Sequence, residues 1–194
     1  MGRRPRTPFE SELVHVYTRG NNRAAVFRDD FDYVAWLRIL ERALRRYGVE
    51  CHAYCLLPNH YHLLLRGSRE EISRVMRHVN GSYAQRINVR YDRTGHVFEG
   101  PYHEELIADQ AHLLEVCCYI PLNPVRARLS RRPEHWTYSS YRATAGLEHR
   151  PPFLIVSFTR SLFGRGDGAR ERYRAFVADG IASARDMSRD QVRG

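Results

Sequence analysis

An α+β domain built on a four-stranded antiparallel sheet is the fold this sequence predicts, and three patterns predict it. Short stretches with strand-like patterning fall at 13–18, 51–56, 60–65 and 102–107. Two longer stretches between them, 31–47 and 69–87, carry apolar residues at helical spacing instead. Only Pro58 and Asn59 separate the middle two strands, and so tight a turn joins neighbours that run antiparallel.

The elements follow in order. Residues 13–18 alternate apolar and polar and form the first strand, and Arg19-Gly20-Asn21-Asn22 is a loop. Tyr33, Leu37, Leu40, Leu44 and Tyr47 make the buried stripe of the first helix, which Gly48 stops. The hairpin strands come next. Cys51, Ala53 and Cys55 are expected on one face as small core residues. Ser68 and Glu71 form a capping box that opens the second helix, with Ile72, Val75, Met76, Val79, Tyr83 and Ile87 inward. A polar loop at 91–95 leads to the fourth strand. Asp109 can cap a third helix whose stripe is Leu113, Val116, Cys117 and Ile120. Pro121 lacks an N–H and Pro124 disfavours helical geometry at Asn123, so a distorted last turn is expected. Two helices crossing one face of such a sheet make a ferredoxin-like domain. The expected organisation is a catalytic domain at 1–127, a C-terminal helical extension packed on it at 128–180, and a mobile tail at 181–194.

The most informative residues are His60-Tyr61-His62. Strand side chains alternate, so both imidazoles point the same way, roughly 6–7 Å apart along the backbone. At that spacing they can converge on one divalent ion, or they can be ordinary half-buried polar residues. On the third helix Tyr119 and Asn123 stand four residues apart and stack as neighbours, with His112 and Glu115 along the same face. A phenol and an amide oxygen brought to a His pair make a phosphoryl-transfer site, in which the ion polarises a phosphate and the tyrosine attacks. Taken alone, Tyr119 reads equally as a helix-surface aromatic packed on the sheet.

Composition is compatible with that chemistry. The chain has 194 residues, 31 Lys+Arg against 22 Asp+Glu, and a net charge of +9, with arginine supplying every basic side chain but histidine. A basic domain of this size most often meets polyanions, nucleic acid first. No apolar run approaches ~20 residues, and the basic start lacks a hydrophobic segment, so neither a membrane span nor a signal peptide is read and a cytoplasmic location is expected. Cys51, Cys55, Cys117 and Cys118 read as reduced, buried thiols. A zinc site combining Cys51 and Cys55 with the His pair has poor spacing.

Four motifs occur in order: Leu57-Pro-Asn-His-Tyr-His-Leu-Leu-Leu65, Gly95-His-Val-Phe-Glu-Gly100, Tyr119-Ile-Pro-Leu-Asn-Pro-Val-Arg-Ala127 and Trp136-Thr-Tyr-Ser-Ser-Tyr141. Together they resemble the REP-associated tyrosine transposases, relatives of the IS200/IS605 single-strand transposases in the HUH nuclease superfamily. The resemblance runs from about Leu13 to Gly146. It implies a Mg²⁺- or Mn²⁺-dependent enzyme that cleaves and rejoins single-stranded DNA at hairpins, through a 5′-phosphotyrosine link and a free 3′-hydroxyl. By position, Tyr119 matches the nucleophile, His60 and His62 the HUH metal ligands, and Asn123 the third ligand. Pro101 and His103 depart from the pattern, standing where basic residues are expected.

Weaker candidates for DNA contact are Arg19 and Asn21 in the first loop, Arg74, Arg77, His78 and Asn80 on the second helix, and Arg126 and Arg128 after the tyrosine. Each also reads as an ordinary solvated or turn residue. Trp136, Tyr138 and Tyr141 are expected to pack the extension on the core rather than stack bases. The extension is also expected to cover the surface that smaller relatives bury between subunits, giving a monomer held at the nucleoid through DNA; the alternative is that it decorates a dimer. Two other classes remain open: a non-catalytic hairpin-binding repressor, and an RNA-processing endonuclease.

Overall fold

The computed structural model of the protein describes residues 13–190, with side chains as far as Ile181. Strand β1 (Leu13–Arg19) is followed by a short 3-10 turn at Asn21–Arg23, helix α1 (Asp30–Tyr47), and the hairpin of β2 (Glu50–Leu57) and β3 (His60–Arg66). Helix α2 (Arg69–Arg90), strand β4 (His103–Leu106) and helix α3 (Gln110–Arg126) complete the main body. Two short helices, α4 (Tyr141–Thr144) and α5 (Val156–Ser161), precede the long α6 (Asp167–Asp190). The sheet order is β2-β3-β1-β4 with every neighbour antiparallel, the ferredoxin-like order.

Local sequence explains the element ends. Asp29 caps α1 through Asp32 N–H, and Gly48 closes it in the left-handed region at φ 71°. Ser68 and Glu71 make the reciprocal capping box expected for α2. The hairpin turn is anchored from outside, since the Pro58 carbonyl accepts from the N–H groups of Val26 and Phe27 at 2.7 and 2.9 Å.

Alternation divides the core in two. Val14, Val16, Tyr61, Leu63 and Leu65 face α1 and α2, and pack with Trp36, Leu40, Ile72, Val75 and Met76. Each fully buried side chain of this size contributes about 1.5–3 kcal/mol. The opposite face carries Leu13, Ala53, Cys55, Leu57 and Leu64, and α3 lies against it through Leu113, Val116, Cys117 and Ile120. The expected pair of helices on one face is therefore joined by a third on the other, and that second face positions the site.

Two expectations from the sequence change. Cys51 does not share a face with Ala53 and Cys55. A register shift between Cys51 and Ala53 puts an extra residue, His52, into β2, so Cys51 turns to the α1 side. The last turn of α3 is also not broken: the helix runs to Arg126 with Pro121 and Pro124 inside it. The turn beyond is stitched by Ala127 N–H to the Asn123 carbonyl and by Leu129 N–H to the Pro124 carbonyl, both at 2.8 Å. Arg128 makes the exit at φ 58°.

The outer edge of β2 is covered. Tyr138 O accepts from Leu56 N–H, Ser140 N–H donates to Tyr54 O, and Trp136 Nε1 donates to Leu56 O, all at 2.9 Å. Tyr138 stacks on Tyr33 with centroids 3.8 Å apart, and Tyr141 packs on Tyr173 of α6. These aromatics bind the extension to the core. Helix α6 lies along α3, where Tyr173 and Val177 meet Leu122 and Val125. Of the expected tail at 181–194, the backbone as far as Asp190 continues α6, and 191–194 lie outside the described residues.

Candidate active site

The two central strands and α3 bring the site together. In the β1–β3 register Tyr17 lies opposite His62 and Arg19 opposite His60. His15, one pleat along on the same face, is within diagonal reach of His62. Helix α3 then presents Tyr119 to this surface. The Tyr119 ring centroid is 5.2 Å from that of His62 and 5.8 Å from that of His15, edge-on to both. The His60 and His62 rings are 5.2 Å apart and nearly perpendicular. A cavity of about 300 Å³ beside them is lined by His15, Tyr17, His62, Glu105, His112, Glu115, Val116 and Tyr119.

Hydrogen bonds fix how the pair is presented. Asn59 Nδ2 donates to the Arg23 carbonyl at 3.2 Å, which turns Asn59 Oδ1 toward His60 Nδ1 at 2.7 Å. An amide oxygen only accepts, so His60 carries its proton on Nδ1 and offers the Nε2 lone pair. His62 Nδ1 is 3.0 Å from His15 Nε2, leaving its Nε2 without that contact. Burial, reinforced by Arg19, lowers the pKa of His60 to about 4. That of His62 falls well below its ordinary value, first through burial and then through its imidazole and guanidinium neighbours. Both rings are thus neutral at neutral pH, the form that ligates a metal.

The tyrosine is held in its protonated form. Burial raises the Tyr119 pKa, and Arg126, 5.0 Å over the ring, pulls the other way, as does hydrogen bonding from the Asn123 side chain. Asn123 is 5% exposed, and its Nδ2 donates to the Tyr119 carbonyl at 2.9 Å. Neutral imidazole nitrogens are borderline donors and an amide oxygen is a hard one, a mixture compatible with a divalent ion, and the bond from Nδ2 leaves Asn123 Oδ1 to act as that oxygen. Among the described residues no group of three or more His, Cys, Asp or Glu is gathered to hold a metal ion.

Not every candidate comes to this place. Arg19 and Arg126 do. Arg74, Arg77, His78 and Asn80 lie on α2, across the sheet. There Arg74 pairs with Glu70 and Arg69 with Glu104, each at 2.6 Å, beside a groove of about 910 Å³ that also includes Arg77. His78 makes an edge contact with Tyr47, and Asn80 accepts from the buried Tyr61 hydroxyl at 2.6 Å. Asn21 lines a separate groove with Asn80 and the 95–101 loop. Arg128 stands at the exit of α3. Tyr61 and Tyr83 are fully buried on the α1–α2 side, and Tyr83 donates to the Val26 carbonyl at 2.6 Å. Tyr17 is the second tyrosine in the cavity.

His15, Tyr17 and Glu105 were missed in the sequence. The signal was present for the first two, because 13, 15, 17 and 19 share one strand face and a β1–β3 pairing would have aligned them with His60 and His62. Glu105 had no such signal, its strand being four residues long.

A family model described as "Transposase IS200 like" matches residues 10–123. A REP-associated tyrosine transposase solved bound to a REP hairpin superposes with a TM-score of 0.61 at 15% identity, covering 80% of this chain and 92% of that one. A solved chain from Deinococcus radiodurans R1 gives a TM-score of 0.43 at 18% identity, over 61% of this chain and 95% of that one. No curated protein matches. No helix among the described residues is long and apolar enough to cross a membrane.

Proposed function

Because this chain belongs to the family of IS200-like transposases, we propose that it cleaves and rejoins single-stranded DNA beside a hairpin, with Tyr119 as the nucleophile. The observation that carries the proposal is the Tyr119 ring 5.2 Å from His62 within one chain, beside a His60 whose Nε2 lone pair is free to ligate. The hairpin-bound neighbour supports hairpin DNA as the substrate.

In the reaction Tyr119 Oη bonds to the scissile phosphorus while the bond from phosphorus to the 3′-oxygen breaks. The phenol proton is lost, the departing 3′-oxygen gains one, and a 5′-phosphotyrosine remains. Attack by a second 3′-hydroxyl reverses the step and rejoins DNA. Mg²⁺ or Mn²⁺ held by His60, His62 and Asn123 would polarise the phosphate and offset its developing charge. Arg126 over the tyrosine ring and Arg19 beside His60 place guanidinium charge where a phosphate would enter. Glu115, one helical turn before Tyr119, and Glu105 are the carboxylates that line the same cavity, where the phenol proton must be taken up.

Tyr119 and His62 meet without help from a second subunit, and this supports cleavage in cis by a monomer. The domain division at 127/128 stays part of the proposal, with the extension supporting α3 from outside.

Incubation with end-labelled hairpin DNA and Mn²⁺ tests the reading. A covalent adduct that survives SDS is expected, and Tyr119→Phe should bind the hairpin without forming it. A gel shift with no adduct in the wild type would instead mean a hairpin-binding repressor. Released fragments from RNA alone would mean an RNA endonuclease. A wild-type adduct that persists in Tyr119→Phe would move the role to Tyr17.

A further inference from the structure

We infer that His15, backed by Glu105, is a positioning residue that fixes the tautomer of His62 and so aims its Nε2 lone pair at the metal; this rests on the proposed metal site. Two imidazole nitrogens 3.0 Å apart share one proton, so His15 Nε2 and His62 Nδ1 cannot both be donors or both acceptors while the rings are neutral. Which way the bond runs decides whether His62 can ligate through Nε2.

The surroundings choose the direction. His112 Nδ1 accepts from Ala108 N–H at 3.3 Å, so its proton is on Nε2, and that nitrogen faces Glu105 Oε1 at 3.5 Å. The other carboxylate oxygen, Oε2, is 3.8 Å from His15 Nδ1. This is longer than a hydrogen bond, but Glu105 is the anion facing that nitrogen, and it favours a proton there. With its proton on Nδ1, His15 has a bare Nε2 that can only accept. His62 must then donate from Nδ1, and its lone pair lies on Nε2.

His15 is 5% exposed and stacks against His62 with centroids 5.2 Å apart, so packing as well as the bond holds the His62 ring. The arrangement matches the other ligand, where Asn59 holds the Nδ1 proton of His60. Each ligand ring thus has one nitrogen tied by its own partner and one turned outward. Partners of this kind tune metal affinity without touching the ion.

The experiment titrates Mn²⁺ alone into the full chain by calorimetry, with a melting curve for each variant. His15→Phe keeps the ring packing and removes the acceptor, and should weaken Mn²⁺ binding roughly 10–100-fold. His15→Gln restores an acceptor near the position of Nε2 and should recover most of that loss. Glu105→Gln, at an exposed side chain, should cost less than His15→Phe. Wild-type affinity in a folded His15→Phe, or no rescue by Gln, would overturn the inference. Nitrogen-15 shifts of the metal-free wild type give a second readout that needs no variant. They should show His62 protonated at Nδ1, and protonation at Nε2 would refute the assignment. A wild type that takes up no Mn²⁺ but shows the Nδ1 tautomer would sink the metal reading while leaving the His15 contact standing.

Discussion

Replacing Gly180 by alanine should destabilise the protein, although the same change in an ordinary helix interior stabilises it. Alanine is favoured over glycine there by about 1 kcal/mol. At Gly180 a Cβ would come within 2.5 Å of Cys118 Sγ and 2.8 Å of Leu122 Cδ1, both on α3. Neither approach is tolerated, and neighbours that must shift in a packed interface typically cost about 1–3 kcal/mol. The clash outweighs the propensity gain, leaving a net loss of up to about 2 kcal/mol. Gly81, in the middle of α2, is the matched control, because nothing lies within 4 Å of its added Cβ. Gly81→Ala should gain about 1 kcal/mol. Urea unfolding of the three proteins, compared at constant m-value, measures both signs. Cys118 adjoins Tyr119, so Gly180→Ala should also slow adduct formation, whereas a change at Gly81 cannot disturb the tyrosine through α3. If Gly180→Ala proved as stable as Gly81→Ala, α6 would not approach α3 this closely.

Three further outcomes are expected. His60→Ala and His62→Ala should each lose Mn²⁺ binding and cleavage together while melting within a few degrees of wild type, and unfolding in both would make them core residues instead. A mixture of Tyr119→Phe and His60→Ala proteins should stay inactive if the tyrosine acts in cis, and recovered cleavage, or a dimer mass by light scattering, would show exchange between subunits. Stability should fall on acidification. Burial lowers the pKa of His52 to about 4 from 6.5, so the unfolded chain binds more protons between those values. Its contribution is complete above pH 6.5 and is lost as pH drops toward 4. For this 1%-exposed ring it is at most on the order of 3 kcal/mol, less whatever the Glu50 carboxylate 3.2 Å from Nε2 returns to the charged form. Melting curves from pH 7.5 to 4.5 on wild type and His52→Leu measure it, and an unchanged slope in the variant would refute it.

The His pair and the tyrosine helix were legible because each rests on a local rule: alternation beside a two-residue turn, and helical spacing after an Asp cap. His15 was not, since its meaning depends on a pairing across 47 residues that no local pattern announces. The extra residue at His52 was equally silent, because a bulge depends on the partner strand as much as on its own sequence. Periodicity also predicted that α3 has an apolar stripe without showing which sheet face receives it. That face also determines that Arg74 and Arg77, candidates for DNA contact on the second helix, lie across the sheet from Tyr119. The prolines of α3 misled for a different reason. Propensity predicts a distorted last turn, and buried contacts on two sides, to the sheet and to α6, hold the helix through it.

The packing of α6 against α3 has a consequence for a chain still being made. Tyr119 leaves the ribosome well before Tyr173 and Val177, the residues that brace the outer face of its helix. At ~5–20 residues per second, the intervening stretch takes roughly 3–12 s to synthesise. Throughout that interval Tyr119 sits on a helix with only one of its two supports. The placement of Tyr119 beside the His pair is thereby left without its outer brace until Val177 has been translated. A message or chain cut short before α6 yields a protein that has its tyrosine and lacks the brace for it.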